Sequence, residues 1–118
     1  MLLRYTAELV NRSVLFSATD SAFHGIGQMG SASLAVVADG VGGYAGGEEA
    51  ARQAVEGLVS AVSAFFHEAE YEEEGDAEIF SRLLHDAALS VHQSLLKTGK
   101  QKGGERSFAT TLTLFLGL

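Results

Sequence analysis

The stretch VVADGVGGYAGGEE, Val36 to Glu49, joins an apolar run to a glycine-rich loop and then to a segment with helical character. Asp39 closes the apolar run, and Gly40, Gly42 and Gly43 follow it almost at once. A carboxylate at the edge of a core is costly unless a cation or a hydrogen-bond donor meets it. The stretch therefore predicts a strand, a tight loop and a helix, with Asp39 where the strand gives way to the loop.

Two helical patterns follow this loop. The first has apolar residues at the spacing of one helix face and predicts a helix from Gly47 to Glu68. The second has a similar stripe from Ala77 onward, and Gly99 is expected to end it. Adjacent helices between strands are typical of α+β domains, with the two helices packed on one face of a largely antiparallel sheet.

Short apolar runs predict the strands of that sheet. Ser13 to Ala18 and Ser33 to Ala38 are interpreted as a hairpin-like pair, joined by a glycine-rich connector over residues 23–32. The second run is apolar at nearly every position, which predicts burial on both of its faces. Residues 2–9 and 108–118 predict one further strand each. Because an edge strand can pair with another chain, we expect self-association, or pairing with a completing chain, through the terminal strand.

Composition narrows the class of protein. The chain has 118 residues, of which 47% are hydrophobic and 19% charged, as expected for one soluble domain over residues 1–118. The net charge of −7 argues against nucleic acid or an anionic membrane as the main partner. The chain lacks cysteine, so any metal would be held by oxygen or imidazole ligands. The sequence contains no long uninterrupted apolar segment, and a cytoplasmic location is expected.

Three interpretations of the aspartate–glycine loop follow from its residues alone. The loop can be a tight turn in which the glycines supply the backbone freedom. Gly40 to Ala45 also satisfies the dinucleotide pattern G-x-G-x-x-A, although Asp39 would then face a pyrophosphate without a cation between them. The third interpretation is a Mg²⁺ or Mn²⁺ site, in which Asp39 and the nearby Asp20 lie at one end of the sheet.

The stretch LAVVADGVGGYAGGEEAARQAVEGLV, Leu34 to Val59, resembles the second motif of the metal-dependent protein phosphatases of the 2C type, in their bacterial form. In that family a strand ends in Asp-Gly-x-Gly-Gly, and an alanine-rich helix follows a loop of small residues. ATDSAFHG, residues 18–25, is similar to a degenerate first motif, and SFATTLTLFL, residues 107–116, is similar to the Thr-Thr strand. The resemblance covers most of the chain and places it in the N-terminal portion of such a catalytic domain.

The resemblance implies a fold, a metal site and a reaction. The fold would be part of an α-β-β-α sandwich. Asp39, the expected catalytic residue, would bridge two Mg²⁺ or Mn²⁺ ions, with the Gly40 carbonyl and Asp20 as further ligands. A metal-bridging water would attack phosphoserine or phosphothreonine in a phosphorylated protein substrate. The expected function is therefore a metal-dependent serine/threonine protein phosphatase.

The chain departs from the family pattern at several positions. Leu15 stands where the family has an arginine that binds the substrate phosphate, which leaves Arg12 as the candidate phosphate ligand. Tyr44 stands where many bacterial members have a histidine. The family's later metal aspartates have no counterpart in this sequence. The alternative expectation is therefore an inactive phosphatase-like module that regulates or binds phosphoproteins.

Overall fold

The fold was analysed in a computed structural model of the chain, which describes residues 2–9, 12–19, 22–29, 32–41, 45–68, 77–101 and 108–117. Five strands and two helices lie within these ranges. In chain order they are β1 (Leu2–Leu9), β2 (Arg12–Thr19), β3 (Ala22–Met29), β4 (Ala32–Asp39), α1 (Ala45–Glu68), α2 (Ala77–Gln101) and β5 (Thr113–Gly117). This arrangement confirms the predicted α+β class.

The five strands form one antiparallel sheet in the order β1-β2-β3-β4-β5. The predicted hairpin between the second and fourth strands is wrong, because β3 lies between them and pairs with both. Most of the connector that was predicted as a loop is this strand. In this strand Phe23 and Gly25 face the core, while His24 and Ile26 face away from it. The alternation is hard to recognise in the sequence because glycine occupies a core-facing position.

The core lies between one face of the sheet and the two helices. Val14, Phe16, Leu34, Val36 and Ala38 supply the buried face of the sheet. The first helix packs directly on β3 and β4. Gly25 lies beneath this contact, since a Cβ there would stand 3.2 Å from methyl carbons of both Val36 and Val55. Glycine in β3 therefore allows α1 to approach the sheet closely.

The two helices pack side by side, and both contribute to the same core as predicted. Val55, Leu58 and Val62 of α1 are fully buried, and Ala87 and Val91 of α2 join them. Neither helix combines the length and hydropathy that a span across a bilayer needs, in the part of the chain described.

Two predicted helix boundaries differ from the structure. The first helix begins at Ala45 instead of Gly47. The second helix continues through Gly99 to Gln101, so Gly99 does not end it. Gly99 is buried, and a Cβ added at this position would make ordinary contact with Phe108, at 3.6 Å from the Cβ of that residue. This glycine therefore lies at a packing contact between the helix and the segment before β5.

The strand β4 is buried on one face only within the described residues, contrary to the prediction of burial on both. Leu34, Val36 and Ala38 face the helices, whereas Val37 and Asp39 are exposed on the other face. The alternation of a strand places these two sets on opposite sides of the sheet. We call the side away from the helices the open face.

Candidate functional site

The candidate site is the end of β4, where Asp39 is the last strand residue. Asp39 is exposed and belongs to the open face, while its neighbour Ala38 is completely buried on the helix side. Gly40 continues the pairing as an isolated bridge with Thr110. The carboxylate is therefore carried by a rigid strand end, with the core directly behind it.

The segment before β5 fixes the backbone of this strand end through hydrogen bonds. The Asp39 N–H donates to Thr111 Oγ1 at 3.1 Å, and the Thr111 N–H donates to the Asp39 carbonyl at 2.9 Å. The Val41 N–H donates to the Ala109 carbonyl, also at 2.9 Å. Both main-chain polar groups of Asp39 are thus bonded to one residue, Thr111, which lies 72 positions later in the chain.

Glycine is required where this strand end meets α1. A Cβ on Gly40 would overlap the carbonyl carbon and oxygen of Gly47, and a Cβ on Gly47 would stand 2.9 Å from the Val41 carbonyl oxygen. The first turn of α1 therefore packs backbone to backbone against the residues that follow Asp39. Because the N-terminus of a helix carries a partial positive charge, the strand end with Asp39 lies beside a favourable region for anions.

Asp20, the second predicted metal ligand, lies outside the described residues. The residue before it, Thr19, ends β2 opposite Ala22, and Ala22 lies opposite Asp39. These three positions form one row across neighbouring strands, so Thr19 is about 10 Å from Asp39 at a strand spacing of about 4.8 Å. The sheet register thus brings the end of β2 to the same end of the sheet as Asp39.

Arg12, the predicted phosphate ligand, is not brought to this end of the sheet. It begins β2 and pairs with Met29, whereas Thr19 at the other end of β2 belongs to the Asp39 row. Seven residues separate the two ends of that strand, which is roughly 24 Å at about 3.4 Å per residue. An arginine side chain does not cover that distance, and the register is regular along the whole of β2.

The donor atoms at the site are of the type that a hard divalent cation takes. Asp39 offers carboxylate oxygens and Gly40 offers a carbonyl oxygen, both of which suit Mg²⁺ or Mn²⁺. Within the described ranges, however, no group of three His, Asp or Glu side chains is close enough to hold a metal. The described residues therefore fit such an ion by chemistry but supply only part of its coordination.

Histidines contribute little to this region. His24 lies on the open face, opposite Val37, and is half-buried two rows away from the row of Asp39. His85 and His92 are exposed on α2. Tyr44 lies outside the described residues.

Comparison with known proteins identifies the family. A family model described as Protein phosphatase 2C matches residues 18–117, which span the candidate site and every described element from β3 to β5. The chain belongs to the protein phosphatase 2C family. No curated protein and no solved structure matches it. The metal-site interpretation of the aspartate–glycine loop is therefore the one that agrees with its family, and the chain is a phosphatase-like module.

The departures from the 2C pattern can now be placed in the fold. Leu15, which the resemblance aligns with the family's phosphate arginine, is exposed on the open face of β2. It lies on the same face of the sheet as Asp39. The open face of this 2C member thus carries an apolar side chain at the expected phosphate position.

One contact at the candidate site of this 2C member was not predicted from the sequence. The Thr-Thr pair was noted only as a strand similar to one in the family, yet Thr111 holds both main-chain polar groups of Asp39. The available signal was the pair of β-branched hydroxyl residues just before an apolar strand. Such residues bond readily to nearby backbone groups, but the identity of the partner depends on the strand register.

Proposed function

We propose that this chain is a Mg²⁺- or Mn²⁺-dependent phosphatase module that hydrolyses phosphoserine and phosphothreonine in proteins. The observation that carries the proposal is the fixed end of β4 in a member of the 2C family. Asp39 is exposed there on a strand end that is bonded to Thr111 and packed against the first turn of α1. A strand end whose main chain is held in one position suits a metal ligand, because the Gly40 carbonyl and the Cα that carries the Asp39 side chain are placed before the ion binds.

Asp39, the Gly40 carbonyl and Asp20 are the groups that would hold the cation. Glycine at position 40 leaves the backbone without a Cβ next to Gly47, so the strand end and the helix can both approach the ion. Thr111 acts as a positioning residue, since it fixes the main chain from which the Asp39 side chain projects. The site lies at the edge of the open face, where a phosphorylated segment of a protein can reach it.

The reaction is the hydrolysis of a phosphomonoester. A water oxygen adds to phosphorus, the bond to the serine or threonine oxygen breaks, and that oxygen takes a proton as the alcohol leaves. A bound divalent cation supplies stabilisation of the phosphoryl oxygens and a water nucleophile at neutral pH. The residues of the chain contribute the binding and orientation of that cation, together with the positive end of α1 beside the phosphate.

The experiment that tests this proposal is phosphate release from a phosphothreonine peptide by the 118-residue chain, with Mn²⁺ and with EDTA. We expect phosphate release in the presence of Mn²⁺ but not in the presence of EDTA. We also expect Asp39→Asn to abolish the release. The control variant is Asp86→Asn, which makes the same chemical change at an exposed position on α2. A folded chain that releases no phosphate with saturating Mn²⁺ would contradict the proposal.

A second candidate function is favoured by the leucine at position 15. An exposed apolar side chain at that position supplies no charge to stabilise the phosphoryl oxygens during hydrolysis. The module would then regulate or bind phosphoproteins without hydrolysing them, with the phosphate held beside the N-terminus of α1. The test is fluorescence anisotropy with a labelled phosphothreonine peptide and its unphosphorylated form. Selective binding of the phosphorylated peptide without phosphate release supports this second function, and equal binding of both peptides excludes it.

A further inference from the structure

A groove runs between α1 and α2 on the side of the helices that faces away from the sheet. One half of this outer groove has a volume of about 650 Å³ and includes the side chains of Glu49 and Glu56. The other half has a volume of about 370 Å³ and includes those of Phe65 and Ile79. Ser90 lines both halves, so they form one continuous groove.

The two halves of the outer groove differ in chemistry. In the first half, Glu49 and Glu56 supply two carboxylates, and Arg52 forms an ion pair with Glu56 at 2.7 Å. Two acidic groups and one basic group give this half a net negative charge. Phe65 and Ile79 make the second half apolar, and Ile79 is 49% exposed. The outer groove therefore favours an occupant that is apolar at one end and cationic at the other.

The dimensions of the outer groove suit a helix. Sixteen residues separate Glu49 from Phe65 on α1, which is roughly 24 Å at about 1.5 Å per residue. The small residues Gly57, Ala61 and Ala87 contribute to the lining. Grooves between packed helices bind amphipathic helices, and small lining residues allow the backbone of such a helix to approach closely.

The exposed side of α2 itself has the chemistry that this groove requires. Ile79, near the start of the helix, is followed on the exposed side by Leu89 and Leu96, which are 47% and 52% exposed. Lys97 and Lys100 are exposed near the end of the helix and make that end positively charged. One end of α2 is therefore apolar on its exposed side, and the other end is cationic.

Hydrogen bonds between the helices show which parts of α1 and α2 lie at the same level. Gln53 Nε2 donates to Ser94 Oγ at 2.9 Å and to Thr98 Oγ1 at 3.0 Å. Glu49 lies about one turn before Gln53, and the two helices run in opposite directions. Glu49 is therefore at about the level of Lys100 in the same chain. A second copy that lies alongside the first in register brings its own basic helix end to Glu49.

We propose that two copies of this chain dimerise through their helices, with α2 of each copy lying in the outer groove of the other. A two-fold axis parallel to the helices keeps equal levels together. It places Ile79 of one copy in the apolar half of the groove of the other, and Lys97 and Lys100 beside Glu49. An axis perpendicular to the helices would place the two lysines over the apolar half, so the charges select the first arrangement.

The contact is large enough for a specific dimer. The helix α2 has 25 residues and is roughly 37 Å long at about 1.5 Å per residue. A strip about 15 Å wide, equal to one helix and half of its neighbour, then covers roughly 550 Å² on each copy. Two copies bury roughly 1,100 Å², which exceeds the value of about 1,000 Å² expected for a specific interface.

The first test is the molar mass in solution, measured by light scattering after gel filtration and by sedimentation over a range of concentrations. We expect the mass to rise from the monomer value of 12.4 kDa to the dimer value as the concentration increases. Ile79→Lys is expected to weaken the dimer by at least about 100-fold, because it would bury an ammonium group in the apolar half of the groove.

The second test reverses the charges on the two sides of the contact. A chain with Lys97→Glu and Lys100→Glu places like charges beside Glu49, and a chain with Glu49→Lys places like charges beside the two lysines. Each variant alone is expected to dimerise at least about 10-fold more weakly than the wild type. An equimolar mixture of the two variants restores opposite charges at both contacts of the dimer and is expected to recover dimerisation. The control is Glu48→Lys, which makes the same change at an exposed neighbour outside the groove lining and should leave the dimer intact.

Three results would overturn the proposal. A folded wild-type chain that stays monomeric at high concentration would leave the outer groove to a helix of another polypeptide. A dimer that survives Ile79→Lys would place the contact elsewhere, as pairing through the β5 edge would. A mixture of the two charge variants that stays monomeric would contradict the arrangement of lysines beside Glu49. The proposal does not depend on catalysis, and none of these variants alters Asp39 or Gly40, so dimerisation and phosphatase activity can fail independently.

Discussion

Replacement of Gly40 by alanine is expected to destabilise the fold more than the addition of a single methyl group suggests. The added Cβ would overlap the carbonyl group of Gly47 and stand 2.8 Å from the Gly47 Cα. Carbon atoms in contact are normally about 3.5–4.0 Å apart, so the first turn of α1 would have to move by about 1 Å. Because the obstructing atoms belong to the backbone, no side-chain rotation relieves the overlap.

The magnitude follows from two opposing contributions. Forced overpacking of this kind costs about 3 kcal/mol, while alanine gains up to about 1 kcal/mol by restricting the unfolded chain. We therefore expect Gly40→Ala to lower the free energy of unfolding by at least about 2 kcal/mol. That is a large part of the stability of a domain of this size, which is commonly about 5–15 kcal/mol.

The matched control is Gly99→Ala in α2. A Cβ at Gly99 would meet Phe108 at an ordinary 3.6 Å, and the residue lies inside the helix. Since alanine is the better helix former, this variant should raise the free energy of unfolding by about 0.5–1 kcal/mol. The two variants therefore carry the same chemical change but have opposite expected effects on the free energy of unfolding.

Urea unfolding followed by far-ultraviolet circular dichroism measures both variants. A Gly40→Ala chain within about 0.5 kcal/mol of the wild type would refute the close packing of the β4 end on α1. A Gly99→Ala chain that loses more than about 1 kcal/mol would mean that Gly99 ends the helix, as its sequence context predicts.

Three further outcomes are expected, each measured by urea unfolding. Thr111→Val should lower the free energy of unfolding by about 1 kcal/mol, because the Asp39 N–H loses its acceptor. Thr111→Ser keeps the hydroxyl and should retain most of that stability, so equal losses in the two variants would contradict the hydrogen-bond argument. Leu58→Ala should cost about 2–5 kcal/mol, because Leu58 is fully buried between sheet and helices, and a smaller cost would place it outside the core. A double-mutant cycle on Arg52 and Glu56 should give a coupling below about 0.5 kcal/mol, because both side chains are substantially exposed, and a larger value would contradict that solvent screening.

The helices and most strands were predictable because their patterns are local. The apolar stripes of α1 and α2 repeat at helical spacing, and Val55, Leu58 and Val62 are buried as that spacing predicts. The strand β3 escaped prediction because glycine occupies the core-facing position 25, where an apolar side chain would normally mark the alternation. That position is glycine because α1 lies directly on it, which is a tertiary contact that no local pattern contains.

Only some of the residues considered for the candidate site could be placed there from the sequence. Asp39 and Gly40 stand out because a carboxylate at the edge of an apolar core is costly unless a cation or a hydrogen-bond donor meets it. Thr111 and Arg12 could not be judged in the same way, since their distance from Asp39 depends on strand order and register. The register brings Thr111 to Asp39 across 72 residues of sequence and leaves Arg12 at the far end of β2.

The open face and the candidate site are parts of one surface, because β4 supplies both. Ala35 and Val37 belong to the apolar surface of that face, and Asp39 ends the same side of the strand. Two unit charges 4 Å apart interact by about 1 kcal/mol in water but by about 4 kcal/mol at an effective dielectric constant of about 20. A surface that covers the open face would therefore strengthen the attraction between Asp39 and a cation without contacting either.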